Sequence, residues 1–237
     1  WSAMGQGIHT TAIQILHQET GISPEIMAVK VDTSASLPTG MTTSSRATAL
    51  VGNALIDASQ LIRDDLRKAT LKDLAGRVYK GKFVCDWTCK PGAETEDPVI
   101  HFAYGYATQV AILDEKGAVK KIIAAHDAGK IMNRMLFEGQ IEGAVHMGMG
   151  YALTEDLPMK DGRPLSLKFN DIGILRASEM PEIEVTGIEE KDPVGPYGAK
   201  GIGEIGLVPT AAAIANALTT FDGIRRTKLP LMRDKKI

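Results

Sequence analysis

Glycine is unevenly distributed in this chain, and its clusters constrain the fold more than any other feature of the sequence. The 24 glycines are a larger share of the 237 residues than the ~7% that is usual for proteins. Many of them frame polar side chains, in MGQG at 4–7, EGQIEG at 138–143 and GPYGAKGIGE at 195–204. Because glycine has no side chain, such segments allow a backbone or a ligand to approach closely. We therefore expect the fold to bring these segments against a ligand or other backbone.

The composition predicts a globular protein and argues against several function classes. Hydrophobic residues make up 44% of the 237 residues and charged residues 24%, enough to form a core. The net charge of −2 argues against a nucleic-acid partner. No apolar run reaches the ~18–20 residues of a membrane span, and no signal peptide is visible. The two cysteines, Cys85 and Cys89, exclude a disulfide framework and indicate a reducing, cytoplasmic location.

Hydrophobic periodicity predicts an α+β fold of mixed sheets with packed helices. Apolar residues at helical spacing predict helices over 8–20, 46–68, 135–153 and 209–220. Alternation predicts strands at 25–31 and 183–189, and a hairpin of 100–113 and 119–126 around a turn at 114–117. Residues 37–43 are expected to form a loop, and 78–98 follow no clear pattern. Since β-α-β alternation is missing, we expect α+β, with one subdomain at 1–75 and a second at 76–237.

Two helix starts carry polar groups suited to binding a ligand. Gln6 lies between Gly5 and Gly7 directly before a helix, where the turn should direct the amide outward beside free N–H groups. Thr43, Ser44, Ser45 and Arg46 precede the second helix. Hydroxyls, free amides and a guanidinium at a helix N-terminus form a credible phosphate site.

Two further segments place polar side chains among glycines. Gln140 lies between Gly139 and Gly143 on a predicted helix, and Glu204 follows Lys200, Gly201 and Gly203. Each of the four segments also has a purely structural interpretation. Gly-x-Gly commonly forms a turn, Ser-Ser an N-cap, Glu204 a first-turn helix acid, and Gln140 a backbone contact. Together they indicate an extended ligand with a hydrogen-bonding ring and a phosphate.

Other candidate sites have less support. Cys85 and Cys89 supply two zinc ligands without a neighbouring histidine, so a zinc site is not expected. His126 could pair with Asp127, but no serine or cysteine elbow accompanies them to complete a hydrolase triad. The GAKG segment at 198–201 lacks the spacing of a P-loop.

Five motifs in order give the chain a specific resemblance to a known family. They are MGQG (4–7), TTSSRATALVGNA (42–54), AAHDAG (124–129), EGQIEGAVHMGMGYALTED (138–156) and GPYGAKGIGEIGL (195–207). With these, essentially the whole chain resembles the C-terminal half of the molybdopterin-binding domain of the xanthine dehydrogenase/aldehyde oxidase family of molybdenum hydroxylases. The SSR…GNA element is similar to the bacterial aldehyde oxidoreductase branch, which often uses a dinucleotide form of the cofactor, such as the cytosine dinucleotide.

The resemblance implies a role for each matched residue. Gln6 corresponds to a glutamine beside the molybdenum, with Gly5 and Gly7 framing it. Thr43, Ser44, Ser45 and Arg46 correspond to the loop that holds the phosphate end of the pterin, and Gln140 to a glutamine that hydrogen-bonds the pterin. Glu204, in a turn with Lys200, Gly201 and Gly203, corresponds to the active-site glutamate. The pterin dithiolene, rather than a side chain, holds the metal in this family.

The resemblance also implies a reaction and partners. The family hydroxylates a purine, an N-heterocycle or an aldehyde with oxygen from water, and the glutamate acts as general base; partial burial would raise the pKa of such a carboxylate. Iron–sulfur clusters and FAD are expected on missing domains or partner subunits of an oligomeric enzyme. The chain begins at Trp1 without a methionine, so we expect a fragment that lacks the upstream half of the domain and is inactive by itself. The alternatives are a non-catalytic cofactor-binding or assembly module and an unrelated nucleotide-binding α+β protein.

Overall fold

The computed structural model describes residues 1–35 and 39–231 and has the predicted α+β architecture. Its α-helices are α1 (Ile8–Thr20), α2 (Ala47–Leu66), α3 (Arg134–Leu153) and α4 (Thr210–Asp222). Its strands are β1 (Ala107–Leu113), β2 (Val119–Asp127), β3 (Met159–Lys160), β4 (Arg163–Pro164) and β5 (Glu182–Ile188). Short 3₁₀ turns lie at Pro24–Ile26, Phe169–Asp171, Ala177–Glu179 and Pro196–Gly198. Along the described ranges, no helix combines the length and apolar character needed to cross a bilayer.

The described residues form two compact units that alternate along the sequence. The first unit contains Trp1–Gly105, Ala128–Leu136 and Glu189–Gly201. The second contains Tyr106–Asp127, Phe137–Ile188 and the described residues from Ile202 onward. The predicted boundary between a subdomain at 1–75 and a second one at 76–237 stays a prediction.

In the first unit, α1 packs on α2 and encloses a small apolar core that includes Ile8, Ile15 and Ala49. Gly21 ends α1 in the left-handed conformation, as its position after the periodic segment predicts. The strand predicted at 25–31 is wrong. Ser23 caps a 3₁₀ turn there, and Val29 and Val31 are exposed. The segment is not a strand because no other strand pairs with it in the described structure. Most of the loop predicted at 37–43 is irregular, and its residues 37 and 38 lie outside the described ranges.

The main sheet of the second unit has the order β1-β2-β5, with β1 antiparallel and β5 parallel to the central β2. The predicted hairpin is present, although β1 begins at Ala107 rather than at residue 100. Asp114 accepts backbone hydrogen bonds from Lys116 and Ala118 and so closes the turn. Ile122 and Ala124 of β2 are fully buried, which places the core of this unit on one face of the sheet.

The glycines of α3 have unequal surroundings. A Cβ added to Gly148 would lie 2.5 Å from Cβ of Thr210, whereas a Cβ added to Gly143 would meet no atom within 4 Å in the part of the chain that the structure describes. A Cβ added to Gly206 would likewise lie 2.5 Å from Cβ of Ala144. Small residues on one face of α3 therefore let the segment 206–210 approach the helix closely.

We expect Gly148→Ala and Gly143→Ala to change stability in opposite directions. The first crowds Thr210 and should lower the free energy of unfolding by about 1–3 kcal/mol. The second adds a methyl group to an open helical position and should raise it by up to ~1 kcal/mol. Urea denaturation of both variants measures the difference. Equal effects would contradict the close packing at Gly148.

Candidate functional site

Gln6 lies in a tight turn whose two glycines have positive φ angles, 100° at Gly5 and 85° at Gly7. Its Oε1 accepts a hydrogen bond of 2.6 Å from the Met4 amide, and its Nε2 donates one of 3.3 Å to the Ser2 carbonyl. The side chain is half-buried and bonded to its own loop, which differs from the outward orientation expected from the sequence. The turn thus holds the amide in a defined position at the start of α1.

The Thr43–Arg46 segment adopts a strained conformation rather than an ordinary serine cap. Ser44 and Ser45 have φ angles of 55° and 49°, in the left-handed region that costs a residue with a side chain about 1–2 kcal/mol. The N-cap of α2 is Arg46, without a capping hydrogen bond from its side chain. His101 Nε2 lies 2.8 Å from the Ser44 carbonyl oxygen and helps to hold the loop. Strain of this kind persists only where surrounding contacts maintain it, and it is typical of ligand-binding loops.

Arg46 carries an unsatisfied donor beside this loop. Its Nη2 donates to the Met41 carbonyl at 3.2 Å, and its guanidinium lies 5.6 Å from the ring centre of Trp1. Its Nε is buried without a hydrogen-bond partner in the described part of the chain. A buried unpaired N–H is costly, so the arrangement favours an acceptor at this position.

Gly201 brings the third glycine motif against the same loop. A Cβ added at Gly201 would overlap the Ser45 carbonyl oxygen, so only glycine allows this approach. The buried residue Lys200 donates its amide to the Ala128 carbonyl at 2.9 Å, which joins the AAHDAG and GPYGAKG motifs.

Ser2 links the N-terminal turn to the same loop. Its amide donates to Thr42 Oγ1 at 3.0 Å, and that hydroxyl donates back to the Ser2 carbonyl at 3.0 Å. The first unit therefore gathers three of the predicted segments. We call them the serine-loop cluster, and its members are Gly5, Gln6, Gly7, Thr43, Ser44, Ser45, Arg46, Lys200 and Gly201.

Tyr197 adopts a positive φ of 56° within the GPYGAKG motif. Its hydroxyl donates to Glu19 Oε1 at 2.6 Å, and Glu19 also forms an ion pair with Arg63. Burial raises the pKa of Tyr197. These contacts fasten the turn that precedes Lys200 to α1 and α2.

In the second unit, the structure brings Gln140 to the turn that carries Glu204. Gln140 Nε2 donates to the Gly203 carbonyl at 3.4 Å. Glu204 follows in a turn that leads into α4, and its side chain is exposed. The partial burial expected for this carboxylate is therefore not provided by the described residues. We call Gln140, Gly203 and Glu204 the glutamate-turn cluster.

A buried polar network that the sequence analysis missed lies behind this turn. Gln109 Nε2 is 3.0 Å from His126 Nε2 and donates to the Gly206 carbonyl at 2.8 Å. Thr210 Oγ1 donates to Gln109 Oε1 at 2.7 Å, and all three side chains are at least nine-tenths buried. The suggested pairing of His126 with Asp127 is wrong, because His126 contacts Gln109 and its Nδ1 has no partner in the described structure. Strand alternation is the signal that could have revealed Gln109 as an inward-facing residue.

We expect the buried His126 to make stability depend on pH. Burial lowers the pKa of His126, whereas an unfolded histidine titrates near ~6.5. As the pH falls, His126 therefore binds a proton in the unfolded chain at a higher pH than in the folded one. The free energy of unfolding that is present above pH ~6.5 is then lost, by up to ~1.4 kcal/mol per pH unit. Denaturation of the wild type and of His126→Asn at pH 7.5 and at about pH 5.5 measures this effect. The stability difference between the two proteins should shrink at the lower pH, and a constant difference would refute the prediction.

Comparison with known proteins identifies the family. The family model of the molybdopterin cofactor-binding domain matches residues 1–181. The chain belongs to this family. The match includes the Thr43–Arg46 loop and Gln140, and it ends before Gly201 and Glu204.

The similarity to individual relatives extends over nearly the whole length of this chain. The gamma subunit of the 6-hydroxypseudooxynicotine dehydrogenase complex of Paenarthrobacter nicotinovorans is 29% identical over 97% of this chain and 34% of its own length. A probable xanthine dehydrogenase subunit of Bacillus subtilis is 30% identical over 98% of this chain and 35% of its own length. The chain thus spans about a third of these relatives.

A solved structure has the same fold. The aldehyde oxidoreductase from Desulfovibrio gigas superposes with a TM-score of 0.80 and 25% identity. The similarity covers 96% of this chain and 27% of that chain. The α+β architecture described above is therefore also that of an aldehyde oxidoreductase.

Proposed function

We propose that this chain forms the C-terminal part of the molybdopterin-binding domain of a molybdenum hydroxylase of the xanthine dehydrogenase/aldehyde oxidase type. The serine-loop cluster carries this proposal. Segments separated by about 150 residues meet there, and Gly201 lies directly against the strained Ser44–Ser45 loop. Backbone strain of this kind is typical of a binding site.

The donors of the two clusters suit a phosphorylated pterin. The unpaired Nε of Arg46 and the hydroxyls of Thr43–Ser45 are appropriate for phosphate oxygens. An amide such as that of Gln140 can bond the edge of a heterocyclic ring. Beside Gln140, a Cβ added to Gly139 or Gly143 would meet no atom of the described residues within 4 Å, so these residues leave this face of α3 open to a ligand.

The proposed roles follow from these properties. Thr43, Ser44, Ser45 and Arg46 hold the phosphate end, with Lys200 and Gly201 supporting the loop. Gln6, set by Gly5 and Gly7, contacts the metal end, and Gln140 contacts the pterin. When bound, the molybdenum–pterin group supplies the redox chemistry of hydroxylation.

Glu204 is proposed to act as the general base. Glu204 is an exposed residue of the turn 203–206, and both ends of this turn are glycines. A carboxylate placed in this way can accept the proton that water loses when its oxygen is transferred to an electron-poor carbon. The substrate classes compatible with this chemistry are purines, N-heterocycles and aldehydes.

We further propose that the active enzyme contains more than this chain. An upstream part of the molybdopterin domain would complete the site, and iron–sulfur and flavin domains or subunits would remove the electrons. The chain alone would then show little or no activity, and the complete enzyme would be a cytoplasmic oligomer.

Isotope labelling tests the proposed reaction. The purified holoenzyme is incubated in H₂¹⁸O with an aldehyde, a purine or an N-heterocycle and an artificial electron acceptor. At least one class should yield a hydroxylated product that contains ¹⁸O. A molybdenum-containing protein that converts none of them would instead support a non-catalytic cofactor-binding or assembly module, and oxygen derived from O₂ would contradict the proposed chemistry.

A further inference from the structure

Gln109 occupies a central position in the buried network of the second unit. In the sheet it lies opposite Ala124, so His126 is its diagonal neighbour on the same face. The third partner, Thr210, is the first residue of α4. The Gln109 amide thereby connects β1, β2 and the segment that links Glu204 to α4.

The available donors and acceptors determine the direction of each hydrogen bond. Gln109 Nε2 carries two hydrogens, and its neighbours are the Gly206 carbonyl at 2.8 Å and His126 Nε2 at 3.0 Å. The carbonyl can only accept, and the second hydrogen then requires His126 Nε2 to accept as well. Thr210 donates to Oε1, so every polar atom of the Gln109 side chain is satisfied.

We propose that Gln109 is a positioning residue for Glu204, which it acts on through the Gly206 carbonyl. His126 and Thr210 orient the Gln109 amide so that its N–H group faces that carbonyl. This inference rests on the proposed function, because it assigns importance to the position of the Glu204 carboxylate.

The backbone hydrogen bonds of the turn are long, since the Leu207 and Val208 amides lie 3.3 Å from the Glu204 and Ile205 carbonyl oxygens, and side-chain contacts at its two ends add support. Gly203 and Gly206 lack side chains, and Glu204 is exposed. The Gly203 carbonyl accepts from Gln140 on one side of Glu204, and the Gly206 carbonyl accepts from Gln109 on the other. Ala144 packs against Gly206 from α3. Glu204 therefore lies between two restrained peptide groups.

Substitution of Gln109 by methionine in the holoenzyme tests the proposal. Methionine keeps the length of the side chain but cannot donate to Gly206. We expect kcat to fall at least tenfold, with KM changed by less than threefold and molybdenum content unchanged. Hydrogen–deuterium exchange should accelerate at least tenfold at the amides of Leu207 and Val208, which close the turn by bonding the Glu204 and Ile205 carbonyls.

Thr210 provides a second test with a matched control. Thr210→Val keeps the shape but removes the donor to Gln109, and Thr210→Ser restores the hydroxyl. Thr219 lies on the same helix, and its hydroxyl donates to the Ala215 carbonyl at 2.8 Å, outside the Gln109 network. The Thr210 hydroxyl also lies 3.2 Å from the Gly206 carbonyl oxygen, so Thr210→Val weakens the support of that carbonyl as well as the contact with Gln109. We expect Thr210→Val to resemble Gln109→Met, and both Thr210→Ser and Thr219→Val to resemble the wild type. This comparison also decides the question if Gln109→Met does not fold.

Two results would overturn the proposal. One is unchanged exchange and turnover in Gln109→Met and Thr210→Val. The other is an equal loss in Thr219→Val, which would show general destabilisation. Failure of the proposed function can be distinguished from failure of this inference. A Glu204→Gln enzyme that retained turnover would refute the role of Glu204 as general base, while the exchange data would still report whether Gln109 restrains the turn.

Discussion

Substitution of Glu204 by glutamine is expected to lower turnover by about three orders of magnitude while molybdenum and pterin remain bound. Glutamine has nearly the same shape as glutamate but cannot accept the proton at neutral pH. Because Glu204 is an exposed residue, the substitution to a side chain of the same shape should not disturb folding. Steady-state kinetics together with metal and pterin analysis of the holoenzyme measure both parts of the expectation.

The exposed Glu115 in the β1–β2 turn provides a matched control. Glu115→Gln makes the same chemical change far from either cluster in sequence and should leave turnover unaltered. If Glu204→Gln retained substantial activity, Glu204 would not be the base. If it lost molybdenum as well as activity, its role would be in binding rather than in proton transfer.

Substitution of Gly201 by alanine is expected to have the second large effect. The added methyl group would overlap the Ser45 carbonyl oxygen, so the strained Ser44–Ser45 loop or the Gly201 backbone must move. We expect the free energy of unfolding to fall by about 3 kcal/mol. Molybdenum content should fall at least tenfold, because the loop proposed to hold the phosphate end is displaced.

Denaturation of Gly201→Ala, beside Gly143→Ala, and metal analysis of Gly201→Ala measure these effects. Gly143 gains a methyl group in open space, so its variant reports the cost of the mutation without a clash. Normal stability and full molybdenum content in Gly201→Ala would show that the contact with Ser45 does not support cofactor binding.

The extent to which the sequence predicts the fold depends on how local the signal is. The helices were predictable because long amphipathic segments such as α2 carry the signal within themselves. The strand predicted at 25–31 is wrong because alternation indicates only a potential strand, and pairing depends on a distant partner. The glycines at 143 and 148 look alike in the sequence, yet only the latter faces Thr210.

In the candidate site, too, the local features were predictable and the contacts between distant segments were not. Glycine-framed polar motifs identified the Thr43–Arg46 and Gly201–Glu204 segments, but they did not reveal that Arg46, rather than a serine, is the N-cap of α2. Strand alternation could indicate that Gln109 faces inward, but its partners could not be predicted, since they depend on strand register and on the approach of α4 to the sheet. Single inward-facing polar residues carry no motif that marks them.

The molybdenum and pterin content of the purified full-length protein tests the central claim most directly. The protein is produced in a host that makes the cofactor, the metal is quantified by mass spectrometry, and the released pterin is identified by its fluorescence. Our account predicts close to one molybdenum and one pterin for each molybdopterin-binding domain, with both strongly reduced in Gly201→Ala. A folded wild-type protein that contained neither molybdenum nor pterin would contradict it.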